Sequence, residues 1–275
     1  MATPLLLIAL TLVHADPDTT VRLPQGGTIE INTRNANVSV LMGNSDVVTI
    51  LGGTAKLDGS ALQVKGNERR DRGLEITMPI WARVDISSVN GNLTFNCAPA
   101  RLHAETITGF IHLCGGAAKA IELETVAGTV VIDGFRGTSL SIDATGGSVT
   151  VAGATGKISV ENVNGSISLR GIWSNDVTAH TVNAGIEFEG PLAPDGRYDF
   201  SSQNSDVSLE LPGDVSARMK ISTMNGQLIS SQIPATVGGA RGGDGEHTFT
   251  AVYGIGAAQV TIDVFNGNVV VKKKP

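Results

Sequence analysis

Four acidic residues recur at one position of a repeated segment: Glu105, Glu124, Asp143 and Glu161, flanked at the same position by Ser87 before them and by His180 and Ser201 after them. On successive turns of a coil they stand about 5 Å apart on one outward face, and Glu122 shares that face one pleat from Glu124. Three chemistries follow. A hard divalent cation takes several carboxylate oxygens at once, so Glu105, Glu122, Glu124, Asp143 and Glu161 are candidate metal ligands. A pair of carboxyls about 5–5.5 Å or about 6.5–9.5 Å apart suits glycoside hydrolysis. A solvated charged face is the third. It takes precedence, because like charges in a high-dielectric surround repel by only about 1 kcal/mol per contact and any charged column of a coil stacks this way.

Other reactive types are scattered. His14, His103, His112, His180 and His247 stand in no HExxH-like spacing and read as surface histidines. No G-x-S-x-G elbow accompanies the many Ser and Thr residues. The stretch GGARGGDGEH lacks the Lys-Ser/Thr of a phosphate loop, and Arg241 fills the third glycine position of a calcium-binding nonapeptide. Cys97 and Cys114 are the only cysteines. They lie in neighbouring repeats, at seven and six positions past the turn, within reach of a disulfide in an oxidising compartment; two buried thiols are the alternative. No catalytic or cofactor-binding residue is assigned.

The elements that position these residues are set by a repeat. Aligned on an Asn-Gly turn, segments begin at Asn90, Thr108, Ala127, Gly146, Asn164, Asn183, Asn204, Asn225 and Asn266, with a period near 20 and one final step of about two periods. Six and four positions before the turn the residues are apolar, as in Leu140 and Ile142 or Ile158 and Val160. Three and five after it they are apolar again, as in Val130 and Ile132, Val149 and Val151, or Ile167 and Leu169. Polar residues fill the gaps, which gives two half-buried strands per repeat. A fixed period with one register marks a solenoid, in which equivalent strands stack on their own copies about 4.8 Å apart and the Gly turns a corner between sheets. Two positions before the corner Ser88, Thr106, Thr125, Ala144, Asn162, Thr181, Ser202 and Thr223 have inward parity and suit a narrow hydrogen-bonded ladder. With 41% hydrophobic but only 4% aromatic residues, the core is expected to be aliphatic.

The ends are less regular. Residues 29–40 repeat the pattern with Asn35 at the corner, and 47–78 read as early coils with looser loops. Residues 1–15 carry a short apolar run and a small-residue cut site, which reads as a secretory signal ending at Ala15. The expected organisation is a signal at 1–15 and one β-solenoid domain at 16–275. Within it, 16–80 form irregular N-terminal coils, 81–230 regular coils, 231–258 a Gly-rich loop capping the end, and 259–275 the last coil and tail. No later segment is long and apolar enough to be an integral membrane segment of the mature chain. A net charge of −6 leaves no basic stripe for nucleic acid.

The stretches LEITMPIWARVDISSVNGNLTF at 74–95, the corner repeats over 104–230 and YGIGAAQVTIDVFNGNVVV at 253–271 resemble the bacterial "putative adhesin" family of envelope β-solenoids, a domain of unknown function related to the head-GIN domains. The resemblance implies an all-β, single-stranded right-handed parallel β-helix with coils of ~19–21 residues. It implies an exported location, periplasmic, cell-surface or secreted, and no catalytic residues. Ala127, Gly146 and Ser205 depart from the corner motif. The resulting expectation is a non-catalytic exported scaffold or adhesin without cofactors, its partner an envelope protein or a polysaccharide. A polysaccharide-acting β-helix enzyme is the rival, opposed by the few exposed aromatics and the absence of a basic cluster. A calcium-stabilised adhesin using the acidic column is a third possibility.

Overall fold

The computed structural model describes residues 19–66, 73–231, 233–241 and 247–274. The expected signal segment therefore lies outside the described residues. Among these there is no helix, and 23 strands join in one sheet system.

The repeat becomes parallel coil-on-coil pairing. Val130 pairs with Val149, Val149 with Ile167, Ile167 with Ile186 and Ile186 with Val207. A second ladder runs alongside, from Leu140 to Ile158, Val177, Tyr198 and Val260. Side chains of these columns are 0–2% exposed and fill the interior between the two ladders. The core is aliphatic along most of its length, and the buried rings of Phe188, Tyr198 and Phe200 gather in one place, with centroids 5.4–5.9 Å apart.

Corners hold because backbone meets backbone there. At Gly165 a Cβ would overlap the Gly147 carbonyl and come 2.7 Å from Asn162 Nδ2. Asn162 staples this corner: its Nδ2 donates to Gly147 O at 2.8 Å and its Oδ1 accepts from Gly165 N at 3.1 Å. Thr181, Ser202 and Thr223 repeat the device with hydroxyls that donate to the corner carbonyls of Gly165, Ala184 and Gly267. From Asn162 onward the inward polar column is thus buried and bonded to the backbone of the neighbouring coil; before it, Thr106 donates to Thr108 O of its own coil, and the buried Ser88 and Thr125 hydroxyls make no hydrogen bond.

The corner asparagines form a relay. Asn183 Nδ2 donates to Asn164 Oδ1 at 2.8 Å, Asn204 to Asn183 at 2.9 Å, Asn266 to Asn204 at 3.2 Å and Asn225 to Asn266 at 2.7 Å. This order departs from sequence order after Asn204, and the strand pairing shows why. β22 (Ala258–Val264) lies between β16 (Arg197–Ser202) and β18 (Ala217–Thr223). β23 (Val269–Lys273) lies between β17 (Val207–Leu211) and β19 (Leu228–Ser231). The last coil of the chain is therefore second from the end in space. The final long step in the repeat holds no further coil strand among the described residues: β20 (Thr236–Arg241) and β21 (His247–Tyr253), in the stretch expected as a Gly-rich loop, form an antiparallel ribbon, and β21 runs against the outer edge of β18.

The other end has the same plan. β2 (Thr28–Thr33) is held between β6 (Ala61–Gly66) and β8 (Arg83–Asn90), and β3 (Val38–Gly43) between β7 (Leu74–Pro79) and β9 (Leu93–Phe95). β5 (Gly53–Asp58) and β4 (Val47–Leu51) cover the outer edges of β6 and β7 in antiparallel fashion. Within 47–78, only β6 and β7 are coil strands; β4 and β5 are edge covers. A bare parallel stack presents unpaired N–H and C=O groups at each end, and antiparallel covers satisfy them.

Overpacking a close backbone contact costs about 1–3 kcal/mol, and 1 kcal/mol shifts the melting temperature by about 2–4 °C at this size. Gly165→Ala is therefore expected to lower it by several degrees. Thermal unfolding followed by circular dichroism checks this; an unchanged midpoint would mean that the corner carries no steric constraint.

Candidate functional site

The acidic column lies where the sequence pattern puts it, on the outward side of the strands just before the corners. Glu161 pairs in register with Asp143 on one side and His180 on the other, and Glu105 with Ser87. Glu105, Glu124, Asp143 and Glu161 line one groove of about 1100 Å³ that crosses the coils along the stack. Its floor is the buried column of Ser88, Thr106, Thr125, Ala144, Asn162 and Thr181.

The other wall is a column that the sequence reading passed over. One position before each corner stand Val89, Ile107, Val126, Thr145, Val163 and Val182, all lining the groove. Val89, Ile107, Val126 and Val163 are 40–52% exposed, although aliphatics usually face inward. The signal was present as apolar residues at outward parity. Arg34 and Lys65 stand at one end of the groove and Gln203 at the other. No Trp, Tyr or Phe lines it.

Glu122 does not line the groove. It turns toward His103, whose Nδ1 lies 3.5 Å from Glu122 Oε2 and whose Nε2 lies 2.9 Å from Glu105 Oε1. Thus His103 belongs to the acidic face, and its place two residues before Glu105 on one strand was the clue. His103, Glu105 and Glu124 bring donor atoms within 4.8 Å of one another, the one part of the acidic column at which ligand atoms converge so closely among the described residues.

The electrostatics follow from crowding. Burial pulls the His103 pKa down, but the hydrogen bond to Glu105 and the charges of Asp85, Glu105 and Glu124 outweigh it and leave it above 6.5. Asp143, exposed though partly screened from water, is held above 3.8, by that partial burial first and then by the charges of Glu161, Glu124 and Glu122. His180 lies 3.4 Å from Asp199 Oδ1.

Cys97 and Cys114 are both half-buried free thiols. Leu113 pairs with Phe95, so Cys114 stands beside Asn96 and Cys97 is offset by one residue toward Gly115. The Cys97 sulfur sits over Gly116, where a Cβ would come 2.8 Å from it. A one-residue offset along paired strands reverses side-chain direction, and of the two alternatives the cysteines stand here as free thiols. Among the described residues no helix is long and apolar enough to cross a membrane.

These features define an all-β stack of parallel coils with capped ends and a repetitive acidic and aliphatic groove. A family profile matches residues 8–272, and the chain belongs to that family, Toastrack DUF4097, a domain of unknown function. No curated protein matches it significantly. Among solved structures it is similar to one described as a "putative cell adhesion protein" from Clostridium sporogenes, at 10% identity over 93% of this chain and 97% of that one, with a TM-score of 0.22.

Both raised pKa values mark protons bound more tightly in the folded state, so both groups favour folding more as the pH falls. His103 contributes fully below 6.5 and loses its contribution as the pH rises through its raised value; Asp143 becomes unfavourable as the pH rises from 3.8 through its own. In His103→Ala/Asp143→Asn the urea midpoint is expected to vary less between pH 3.8 and neutrality than in the unaltered protein. An equal pH slope in the two proteins would contradict this account. Because Asp143 is exposed, Asp143→Asn alone should raise the neutral melting temperature by only about 1 °C, and by less in high salt.

Proposed function

We propose that this protein is a non-catalytic, exported scaffold of the bacterial envelope, and that its groove holds an extended polypeptide segment of an envelope protein. The observation that carries this reading is the pair of parallel columns. Carboxylates line one wall and exposed aliphatics the other, both repeating at the spacing of the coils, about 4.8 Å. A segment with cationic side chains toward Glu105, Glu124, Asp143 and Glu161 and apolar ones toward Val89, Ile107, Val126 and Val163 is complementary to both walls. The aliphatic wall favours polypeptide over polysaccharide, because sugars stack on aromatic faces and the groove lining offers none. The coil is proposed to wind right-handed, the hand that connections between parallel strands take, with ~19–21 residues per turn.

Fluorescence polarisation with a labelled, unstructured peptide of alternating Lys and Val tests the reading. Binding is expected to fall at least roughly tenfold, about 1.4 kcal/mol, in Glu124→Lys and again in Val126→Asp, and to persist in Glu187→Lys on the other sheet. Equal binding by all four proteins, or none by the unaltered one, rejects the groove as a peptide site. Release of reducing ends from a polysaccharide panel that disappears in Glu124→Gln would replace the scaffold with an enzyme.

A further inference from the structure

We propose that His112, Cys114 and Asp133 form a binding site for a divalent transition ion of borderline softness, zinc being the ion their donor set suits. The site is separate from the groove. His112 and Cys114 are two residues apart on the outward side of the same strand, beyond the corner, and Asp133 occupies Cys114's position one coil further on. One nitrogen, one sulfur and one oxygen donor lie within 4.8 Å of one another.

The spacing is that of a coordination sphere. With Zn–N about 2.0–2.1 Å, Zn–S about 2.3 Å and Zn–O about 2.0–2.2 Å, a tetrahedron has N···S and N···O edges of about 3.6 and about 3.4 Å. Here His112 Nε2 lies 3.4 Å from Cys114 Sγ and 3.3 Å from Asp133 Oδ2. The third edge, from Cys114 Sγ to the Asp133 carboxylate, is no longer than 4.8 Å, and the Asp133 side chain, 55% exposed, has room to adjust it.

The chemistry selects the ion. A thiolate and a carboxylate together neutralise a divalent charge, and sulfur disfavours calcium and magnesium while imidazole and thiolate both suit zinc. The half-exposed face leaves the fourth position open to water. A Cys-His-Asp nucleophile relay does not fit, because that relay uses the two ring nitrogens for its two contacts and here Nε2 makes both. Nor is the trio a product of the repeat. At Cys114's position the coils outside the trio carry Asn96, Ala152, Arg170, Glu189, Glu210, Ser231 and Lys272.

Calorimetric zinc titration of the full chain, kept reduced by a phosphine that does not bind the metal, tests the site. Cobalt substitution identifies the ligands. One equivalent is expected to bind, and the cobalt form should show thiolate-to-metal charge transfer and the strong visible bands of a tetrahedral ion. His112→Ala and Cys114→Ser should each weaken binding by at least roughly tenfold, the loss that even an outer partner's removal brings, while His103→Ala leaves it unchanged. Circular dichroism of each variant confirms that the fold persists. The proposal fails if the unaltered protein binds no zinc, if Cys114→Ser binds as tightly and gives the same cobalt spectrum, or if binding depends on His103 instead.

Discussion

Every feature of this molecule depends on coils stacking in register with their backbones in hydrogen-bond contact, corner over corner. The corner is the strictest part of that constraint. At Gly165 the chain passes so close to the Gly147 carbonyl that a single added carbon would separate the two coils. A slip of one residue at such a point would turn every buried aliphatic of a coil toward water, so the corners set the register and the register sets the columns. The acidic wall, the aliphatic wall and the buried floor of the groove are three readings of one alignment.

Much of this was visible before any coordinates. The period, the inward columns and the inward polar ladder come from side-chain size and polarity at fixed offsets, and Val130, Val149 and Ile167 do lie beside one another. The order of coils at the ends was not visible, for a physical reason. Coils with the same pattern present the same surface to any neighbour, so the pattern cannot say which coil lies on which. Asn225 and Asn266 look like consecutive rungs in either order, and the strand pairing, with Asn266 bonded to Asn204 and Asn225 to Asn266, reveals the insertion.

The candidate site was legible in the same uneven way. Glu105, Glu124, Asp143 and Glu161 were placed correctly because they belong to a column, whereas Glu122 turned aside to His103, a partner that column counting does not see. The two sulfurs are separated by a one-residue offset that their places seven and six positions past the turn already showed. Repetition explains the groove and its extended shape. The group at His112 departs from the repetition, and a departure in so regular a structure is where a discrete ligand would be sought.

The placing of the final strands has a kinetic side. A chain that emerges from its amino end can stack its middle coils one upon the next as they appear, but β22 and β23 must enter a slot already bounded by β16 and β17 on one side and β18 and β19 on the other. Until β22 and β23 arrive, those two neighbours must either stay apart or pair wrongly and release. Completion of this fold is thus a closing event at β22 and β23, and once closed it holds both strands between partners on either side, away from the exposed edges where pairing is lost first.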